Sequence, residues 1–159
     1  LRHAKSSWDN VNLDDIDRPL SKRGVYSANI MQSFIEENYQ HYSLNVYSSL
    51  SQRTKSTCEI VFPKKSKVKY DQQLYTFDFQ DLLVWLKKEK KNDPILIVGH
   101  NPALADLIKF LSSKKEEIVF PTCALCEIHL NINSWDDIKK SCGDIKLLQK
   151  VKKLKNYNF

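Results

Sequence analysis

The stretch Pro94-Ile95-Leu96-Ile97-Val98-Gly99-His100-Asn101-Pro102 decides the fold of this 159-residue chain. Four consecutive aliphatic residues between a proline and a glycine predict a short buried strand. Asn101 and Pro102 predict a cap and the first turn of a helix. The apolar positions of that helix recur at helical spacing: Leu104, Leu107, Ile108 and Leu111. A buried strand that runs straight into a helix is typical of a parallel sheet.

The same alternation of strands and helices recurs along the chain. Leu44 to Tyr47 predicts a strand that ends in Ser48-Ser49, and a helical pattern follows at Thr54, Thr57, Cys58 and Val61. Ser21 and Asp78 predict caps of two further helices, with inward positions Val25, Ala28, Met31, Ile35 and Leu82, Leu83, Leu86. Other predicted elements are an edge strand Lys67 to Tyr70, a strand Thr122 to Ile132, a helical piece Trp135 to Lys140 and a strand from Asp144 to about Val151. We therefore expect one α/β domain over residues 1–159 with a mostly parallel sheet.

Composition and charge indicate an ordinary globular protein. Hydrophobic residues make up 42% and charged residues 28% of the chain, and no apolar run approaches the roughly 20 residues of a membrane span. With no signal-peptide pattern before Arg2, we expect a cytoplasmic, monomeric protein without a membrane partner. The net charge is +6, and the segment from Ile145 to Phe159 carries five lysines and no acid. A solvated lysine face is the favoured interpretation of that segment, and nucleic-acid binding is the alternative.

Cys123 and Cys126 have the spacing of a zinc or redox pair. They lie in a segment with apolar residues at every second position, which predicts a strand. Residues three apart in a strand point to opposite faces, so the two sulfur atoms should diverge. We therefore expect Cys126 to have a packing role, and we expect no metal and no cofactor.

Arginines and histidines follow the predicted strands at the points where ligands bind in α/β sheets. Arg2 and His3 follow a first strand, Arg53 lies in the first turn of the helix after Ser49, and His100 follows the strand from Ile95. Arg18 precedes the first helix and can reach the same edge of the sheet. Guanidinium groups match phosphate oxygens, and a neutral imidazole can attack phosphorus. Guanidinium groups nearby should also lower the pKa of His3.

Glycine is scarce, with three residues in the chain. Gly24 and Gly99 flank the segments just described. We expect both positions to need backbone clearance.

These segments resemble the SixA-type phosphohistidine phosphatases of the histidine phosphatase superfamily, in its phosphoglycerate-mutase-like branch. The residues that carry the resemblance are Leu1 to Trp8, Asp14 to Leu20, Lys22 to Gly24, Ser48-Ser49 with Arg53, Thr54 and Thr57, Val98 to Pro102, and Pro121-Thr122 with Ala124. The resemblance implies a three-layer α/β/α sandwich and a metal-independent reaction. It also implies that His3 is the phosphorylated nucleophile, with Arg2, Arg18, Arg53 and His100 around the phosphate.

The chain departs from that pattern at three points. Most of the strand that should precede Arg2-His3 is absent, and we expect a shortened first strand with a less firmly held nucleophile. Leu50 stands where the family commonly has proline. No glutamate follows the third strand, where larger phosphomonoesterases of the superfamily carry their proton donor. Asp78 lies in that stretch but is better explained as a helix cap, and Asp17 is a weaker candidate proton donor.

The missing acid favours one substrate class over another. An alkoxide leaving group needs a proton, whereas a phosphorylated imidazole leaves more easily. The leading hypothesis is a phosphatase for phosphohistidine on a protein, acting through phosphorylated His3. The alternatives are a phosphatase for small phosphomonoesters and a non-catalytic module that binds phosphate or nucleic acid.

Overall fold

The computed structural model describes residues 1–63, 68–89 and 94–154. Within these ranges the chain forms helices α1 (Lys22–Tyr39), α2 (Gln52–Val61), α3 (Phe79–Lys87) and α4 (Ala103–Leu111). The strands are β1 (Asn45–Ser48), β2 (Lys69–Tyr70), β3 (Ile95–Val98), β4 (Leu125–Leu130) and β5 (Gly143–Gln149). Short 3-10 turns occupy Asp15–Asp17, Gln72–Leu74, Trp135–Asp137 and Val151–Lys153. No helix in the described part is long and apolar enough to cross a membrane.

The strands form a parallel sheet and an antiparallel hairpin that meet at the first residues of the chain. The parallel sheet has the order β2-β1-β3, and β4 pairs with β5. The Leu1 nitrogen donates to Ile97 O at 2.8 Å, and Gly99 N donates to Leu1 O at 3.1 Å. On the other side, Arg2 N donates to Ala124 O at 3.0 Å. The short first segment is therefore held between the two sheets, and the expectation of a poorly held nucleophile is not met.

Alternating side chains divide the core into two clusters, one on each face of the parallel sheet. Val46, Leu96 and Val98 pack in one cluster with the buried residues of α1 and α2. Tyr47, Ile95 and Ile97 belong to the other cluster, which holds the buried residues of α3 and α4. Burial on both faces explains why β3 is apolar at every position. The predicted three-layer α/β/α arrangement is confirmed.

Most predictions about helices and strands are confirmed, and two of them are wrong. Ser21 Oγ accepts a hydrogen bond from Gly24 N, and Asp78 Oδ1 accepts one from Gln80 N, so both residues cap helices. Val25 is exposed, because the buried face of α1 lies one position earlier at Gly24. Asn101 does not cap α4: Pro102 occupies that position, and the Asn101 side chain donates to Phe120 O at 2.9 Å. Of the predicted edge strand, Lys69–Tyr70 is observed and Lys67 lies outside the described residues.

The two cysteines of the zinc-like spacing diverge as predicted. Cys123 is fully buried in the cluster of α1 and α2, whereas Cys126 is half-buried against the cluster of α3 and α4. Burial raises the pKa of the Cys126 thiol to about 11. The described residues contain no group of three or more His, Cys, Asp or Glu that could hold a metal ion. Cys126 itself packs against the cluster of α3 and α4, as expected.

The two glycines beside the predicted site differ in the space around them. A Cβ atom on Gly24 would lie 2.1 Å from Lys5 O, so α1 approaches this backbone as closely as only glycine allows. A Cβ atom on Gly99 would meet only side-chain carbons, the nearest being Leu104 Cδ1 at 3.7 Å. The prediction that the backbone needs clearance is confirmed at Gly24 and is wrong at Gly99.

Candidate active site

The backbone of His3 is tied to three surrounding segments. His3 N donates to Gly99 O at 3.1 Å, and Cys123 N donates to His3 O at 3.0 Å. The next amide, Ala4 N, donates to Thr57 Oγ1 at 2.9 Å, and this hydroxyl donates in turn to Arg53 O at 2.6 Å. The histidine therefore has a fixed position relative to both β3 and α2.

The His3 ring has one nitrogen engaged and one available. Nδ1 lies 2.7 Å from Ala4 O, and because a carbonyl oxygen only accepts, Nδ1 must carry the proton. In the neutral ring the lone pair is then on Nε2. The pKa of His3 is lowered to about 4, chiefly by burial and also by Arg53 and Arg2, while the hydrogen bond to Ala4 opposes the shift. The direction predicted from the arginines is confirmed, but desolvation is the larger cause.

His100 stands next to His3 with the opposite tautomer. The two ring centroids are 5.2 Å apart. Arg53 Nη2 lies 3.3 Å from His100 Nδ1, and since a guanidinium only donates, Nδ1 accepts and Nε2 donates to Ser49 Oγ at 2.9 Å. Burial, followed by His3 and Arg53, lowers the pKa of His100 to about 3. Both imidazoles are therefore neutral at pH 7.

Arg53 and Arg2 bring positive charge to the two histidines. Arg53 is buried in the first turn of α2 and donates from Nη2 to Asp15 Oδ2 at 2.8 Å. Arg2 donates from Nη1 to Phe120 O at 2.9 Å, while its buried Nε has no partner in the described structure. Burial and the charge of Arg53 lower the pKa of Arg2. Arg2 thus keeps a donor that an oxyanion can use.

Arg18 joins this group through Asp15. Its Nη1 lies 3.4 Å from Asp15 Oδ1, and its other donors bind Ser7 O and Ser6 Oγ at 3.1–3.2 Å. Its guanidinium lies over the ring of Trp8, 3.0 Å from the ring centre. The Arg18 guanidinium is therefore held by polar partners at its edge and by the Trp8 ring on its face.

Aromatic residues that sequence reasoning missed pack around His100. The rings of Tyr75 and Phe77 lie 5.3 and 5.4 Å from the His100 ring. The Tyr75 hydroxyl donates to Asp15 Oδ2 at 2.7 Å. These aromatics stand two positions apart in the loop before α3, and neither helical nor strand periodicity distinguishes such loop residues.

The two candidate proton donors take no part in these contacts. Asp17 is exposed on the turn that carries Asp15. Asp78 is exposed, and its carboxylate accepts from Gln80 N at the start of α3. The carboxylate that binds the arginines is Asp15. Asp15 is not among the site residues predicted from the sequence. Among the predicted residues, His3, His100, Arg2 and Arg53 form one cluster, and Arg18 joins it through Asp15.

A separate apolar cavity lies elsewhere between β3, α4 and β4. It has a volume of about 600 Å³, and its walls include Leu96, Leu107 and Ile128. His3 and His100 do not line it. The cluster of His3 and His100 is therefore separate from this cavity.

Solved structures of other proteins share the overall fold of this chain. The chain superposes on SixA protein histidine phosphatase complexed with tungstate with a TM-score of 0.78 and 19% identity, covering 97% of this chain and 96% of the other. A chain from Nakamurella multipartitia assigned as phosphohistidine phosphatase SixA superposes with a TM-score of 0.80 and 21% identity, covering 94% of this chain and 92% of the other. The chain has the phosphoglycerate-mutase-like fold. A phosphoglycerate mutase from Bacillus anthracis also shares it, with a TM-score of 0.63, 16% identity and coverage of 97% and 92%.

Sequence comparison adds one relative. An uncharacterized chloroplastic protein of Arabidopsis thaliana is 28% identical over 150 residues, which cover 86% of this chain and 67% of that protein. No family model matches the sequence. The structural likeness, at identities of 16–21%, establishes the phosphoglycerate-mutase-like fold that the sequence predicts.

Proposed function

We propose that this protein is a phosphatase that removes the phosphoryl group from phosphohistidine on a protein, through a phosphorylated His3 intermediate. One observation carries the proposal. The Nδ1–H group of His3 is bonded to Ala4 O, which leaves a neutral, buried Nε2 as a nucleophile beside the guanidinium groups.

The reaction needs two displacements at phosphorus. In the first, His3 Nε2 forms a bond to phosphorus while the bond to the substrate imidazole breaks, and the departing nitrogen keeps the electron pair. In the second, a water oxygen attacks the phosphorylated His3, the bond between nitrogen and phosphorus breaks, and inorganic phosphate leaves. The imidazole nitrogens recover neutrality by exchanging protons with solvent water.

Arginine side chains supply the charge stabilisation that phosphoryl transfer requires. Arg53 and Arg2 lie close enough to His3 to lower its pKa, and Arg18 shares Asp15 with Arg53. Guanidinium groups remain charged at any working pH and present parallel donors to phosphate oxygens. His100 Nδ1 accepts a hydrogen bond from Arg53, and the His100 ring lies next to the His3 ring. A phosphoryl group bound between the two rings would have a neutral imidazole on each side.

Two observations favour phosphohistidine over phosphate esters. Asp15 is the carboxylate nearest the cluster, and hydrogen bonds from Tyr75 and Arg53 hold its pKa below the usual range despite partial burial. It is therefore ionised and offers no proton to an alkoxide leaving group. The structural likeness is also greater to SixA proteins, with TM-scores of 0.76–0.80, than to phosphoserine phosphatase from Entamoeba histolytica, with 0.62–0.67.

Replacing His3 tests the proposal. The variant His3→Ala should lose turnover of a phosphohistidine-bearing protein by at least about 10³-fold, because it lacks the proposed nucleophile. The control is His41→Ala, which removes an exposed histidine after α1. Brief reaction with substrate labelled at phosphorus should leave the label on His3 of the wild-type protein. Full activity of His3→Ala, or a label on another residue, would contradict the proposal.

Small phosphomonoesters are the second candidate substrates. Phosphoserine phosphatase in complex with phosphoserine shares the fold over 95% of both chains, which supports this second candidate. The ratio of kcat/KM for phosphoserine to kcat/KM for a phosphohistidine protein separates the two candidates. We expect this ratio to lie well below one, and a ratio above one would make the ester the preferred substrate.

A further inference from the structure

The Asp15 carboxylate occupies the position in which an anion meets the arginines. Its Oδ2 atom accepts from Arg53 Nη2 at 2.8 Å and from the Tyr75 hydroxyl at 2.7 Å, and Oδ1 lies 3.4 Å from Arg18 Nη1. The first two are lengths of hydrogen bonds to an ionised acceptor. Two guanidinium groups and one phenol thus converge on a single carboxylate.

The same donors are required by the proposed phosphate site. Arg18 and Arg53 are two of the three arginines assigned to the phosphoryl group, and both are paired with Asp15 in this structure. Arg53 Nη2 carries two hydrogens, one donated to Asp15 Oδ2 and the other to His100 Nδ1. A phosphate oxygen can therefore bind Nη2 only when Asp15 or His100 releases its hydrogen. A second anion next to the carboxylate would also be repelled by its charge.

The partners of this ion pair differ in their freedom to move. The side chains of Arg18 and Arg53 are 8% and 4% exposed, whereas the Asp15 side chain is 50% exposed. Asp15 lies on the 3-10 turn Asp15–Asp17, which has no buried residue. The arginines are therefore fixed, and the carboxylate is the partner that can turn into solvent at little cost in packing.

We propose that Asp15 is an intramolecular competitor for the oxyanion: its carboxylate binds the arginines in the empty site, gives way to phosphate, and returns as phosphate leaves. This inference rests on the proposed phosphate site. Asp15 then sets the affinity for the product and keeps the arginines paired between turnovers. This competition weakens the binding of every oxyanion that needs Arg18 and Arg53.

The test measures binding of inorganic phosphate to the full chain by isothermal titration calorimetry. Asp15→Asn should bind phosphate about tenfold more tightly than the wild type, because the competing charge is gone while the side-chain shape is kept. The matched control is Asp14→Asn, since Asp14 is the exposed neighbour whose side chain forms no cap hydrogen bond. This control removes the same charge and should change the dissociation constant by less than about twofold.

The sign of the effect separates competition from a supporting role. If Asp15 only orders the arginines, Asp15→Asn will bind phosphate more weakly, and that result, or an affinity equal to that of Asp14→Asn, overturns the inference. Should Asp15→Asn fold poorly, Asp15→Ser provides the same comparison with a neutral side chain too short to reach both arginines. Arg53→Met should abolish binding in either case. Phosphate binding that survives Arg53→Met would instead contradict the proposed site itself.

Discussion

At the scale of single residues, burial determines the chemistry of this site more than charge does. His3 and His100 are almost fully enclosed, and desolvation is the largest cause of the low pKa of each ring. The arginines reinforce the effect without dominating it. A histidine made neutral by burial stays neutral when an oxyanion partly cancels the arginine charge. Under the proposed function, substrate binding would therefore not protonate His3.

The titration of His3 can be followed directly. Nuclear magnetic resonance of the imidazole carbons should give a midpoint near pH 4 for His3, with the signal identified by its loss in His3→Asn. Unfolded histidine titrates near 6.5. Between about pH 6.5 and 4 the unfolded chain takes up this proton and the folded chain does not, so the free energy of unfolding should fall as pH falls through that window. A midpoint above 6 would show that the ring is hydrated.

Residues that follow strands were predictable, and those on loops were not. Arg2, His3, Arg53 and His100 were found because parallel strands end at one edge, and any side chain just after a strand is carried there. Asp15 and Tyr75 reach the same place from loops whose course depends on tertiary contacts. Nothing local in the sequence distinguishes Asp15 from Asp14 or Asp17.

At the scale of elements, the approach of α1 to the segment that follows His3 depends on one glycine. Gly24 is in the first turn of α1, and Lys5 O accepts hydrogen bonds from Ser21 N at 2.9 Å and Ser21 Oγ at 3.0 Å. These bonds hold the start of the helix against the residues that follow His3. The sequence indicated that Gly24 mattered, but the atom it avoids became evident only in three dimensions.

Gly24→Ala tests this contact. Alanine gains about 1 kcal/mol in helix propensity, but its Cβ would lie 2.1 Å from a carbonyl oxygen that cannot turn away. The clash should dominate, with a net loss of about 1–3 kcal/mol in the free energy of unfolding, measured by urea denaturation. Gly99→Ala is the comparison, because its Cβ would make only ordinary contacts, and it should unfold close to wild type. Equal stability of the two variants would refute the argument.

The two wrong element predictions have physical causes. The buried face of α1 includes Gly24 because the helix packs on Lys5, a contact that hydrophobic periodicity cannot reveal, and Val25 is turned outward as a result. Asn101 was expected to bind the start of α4, but its amide instead binds Phe120 O, whose position depends on a distant segment. In both places a tertiary contact outweighs the local signal.

At the scale of the whole molecule, exposed aromatic side chains flank the site. Trp8 is 71% exposed above Arg18, and Phe77 is 47% exposed beside His100. Exposed aromatics next to a binding site are typical anchors for a protein partner. They are consistent with a phosphorylated side chain that arrives on a protein surface.

Phe77→Ser should separate protein substrates from small ones. The measured quantity is kcat/KM for a phosphohistidine protein divided by kcat/KM for phosphoramidate, which cancels effects on the chemistry itself. We expect this ratio to fall about tenfold, since a lost interface anchor typically costs more than 1 kcal/mol. Val84→Ser removes another exposed apolar side chain, 55% exposed on α3, and should leave the ratio unchanged. An unchanged ratio in Phe77→Ser would show that Phe77 does not contact the protein substrate.

The hydrogen bonds of the first three residues also constrain the order of folding. Leu1 binds Ile97, 96 positions along the chain, and Arg2 binds Phe120, 118 positions away. Contacts of such long sequence separation form late, because the intervening chain must first lose its freedom. His3 is therefore held in place only after both sheets exist. A nascent chain must therefore emerge from the ribosome beyond Gln149, the last residue of β5, before the proposed active site can form. Under the proposed function, the onset of activity would mark completed folding.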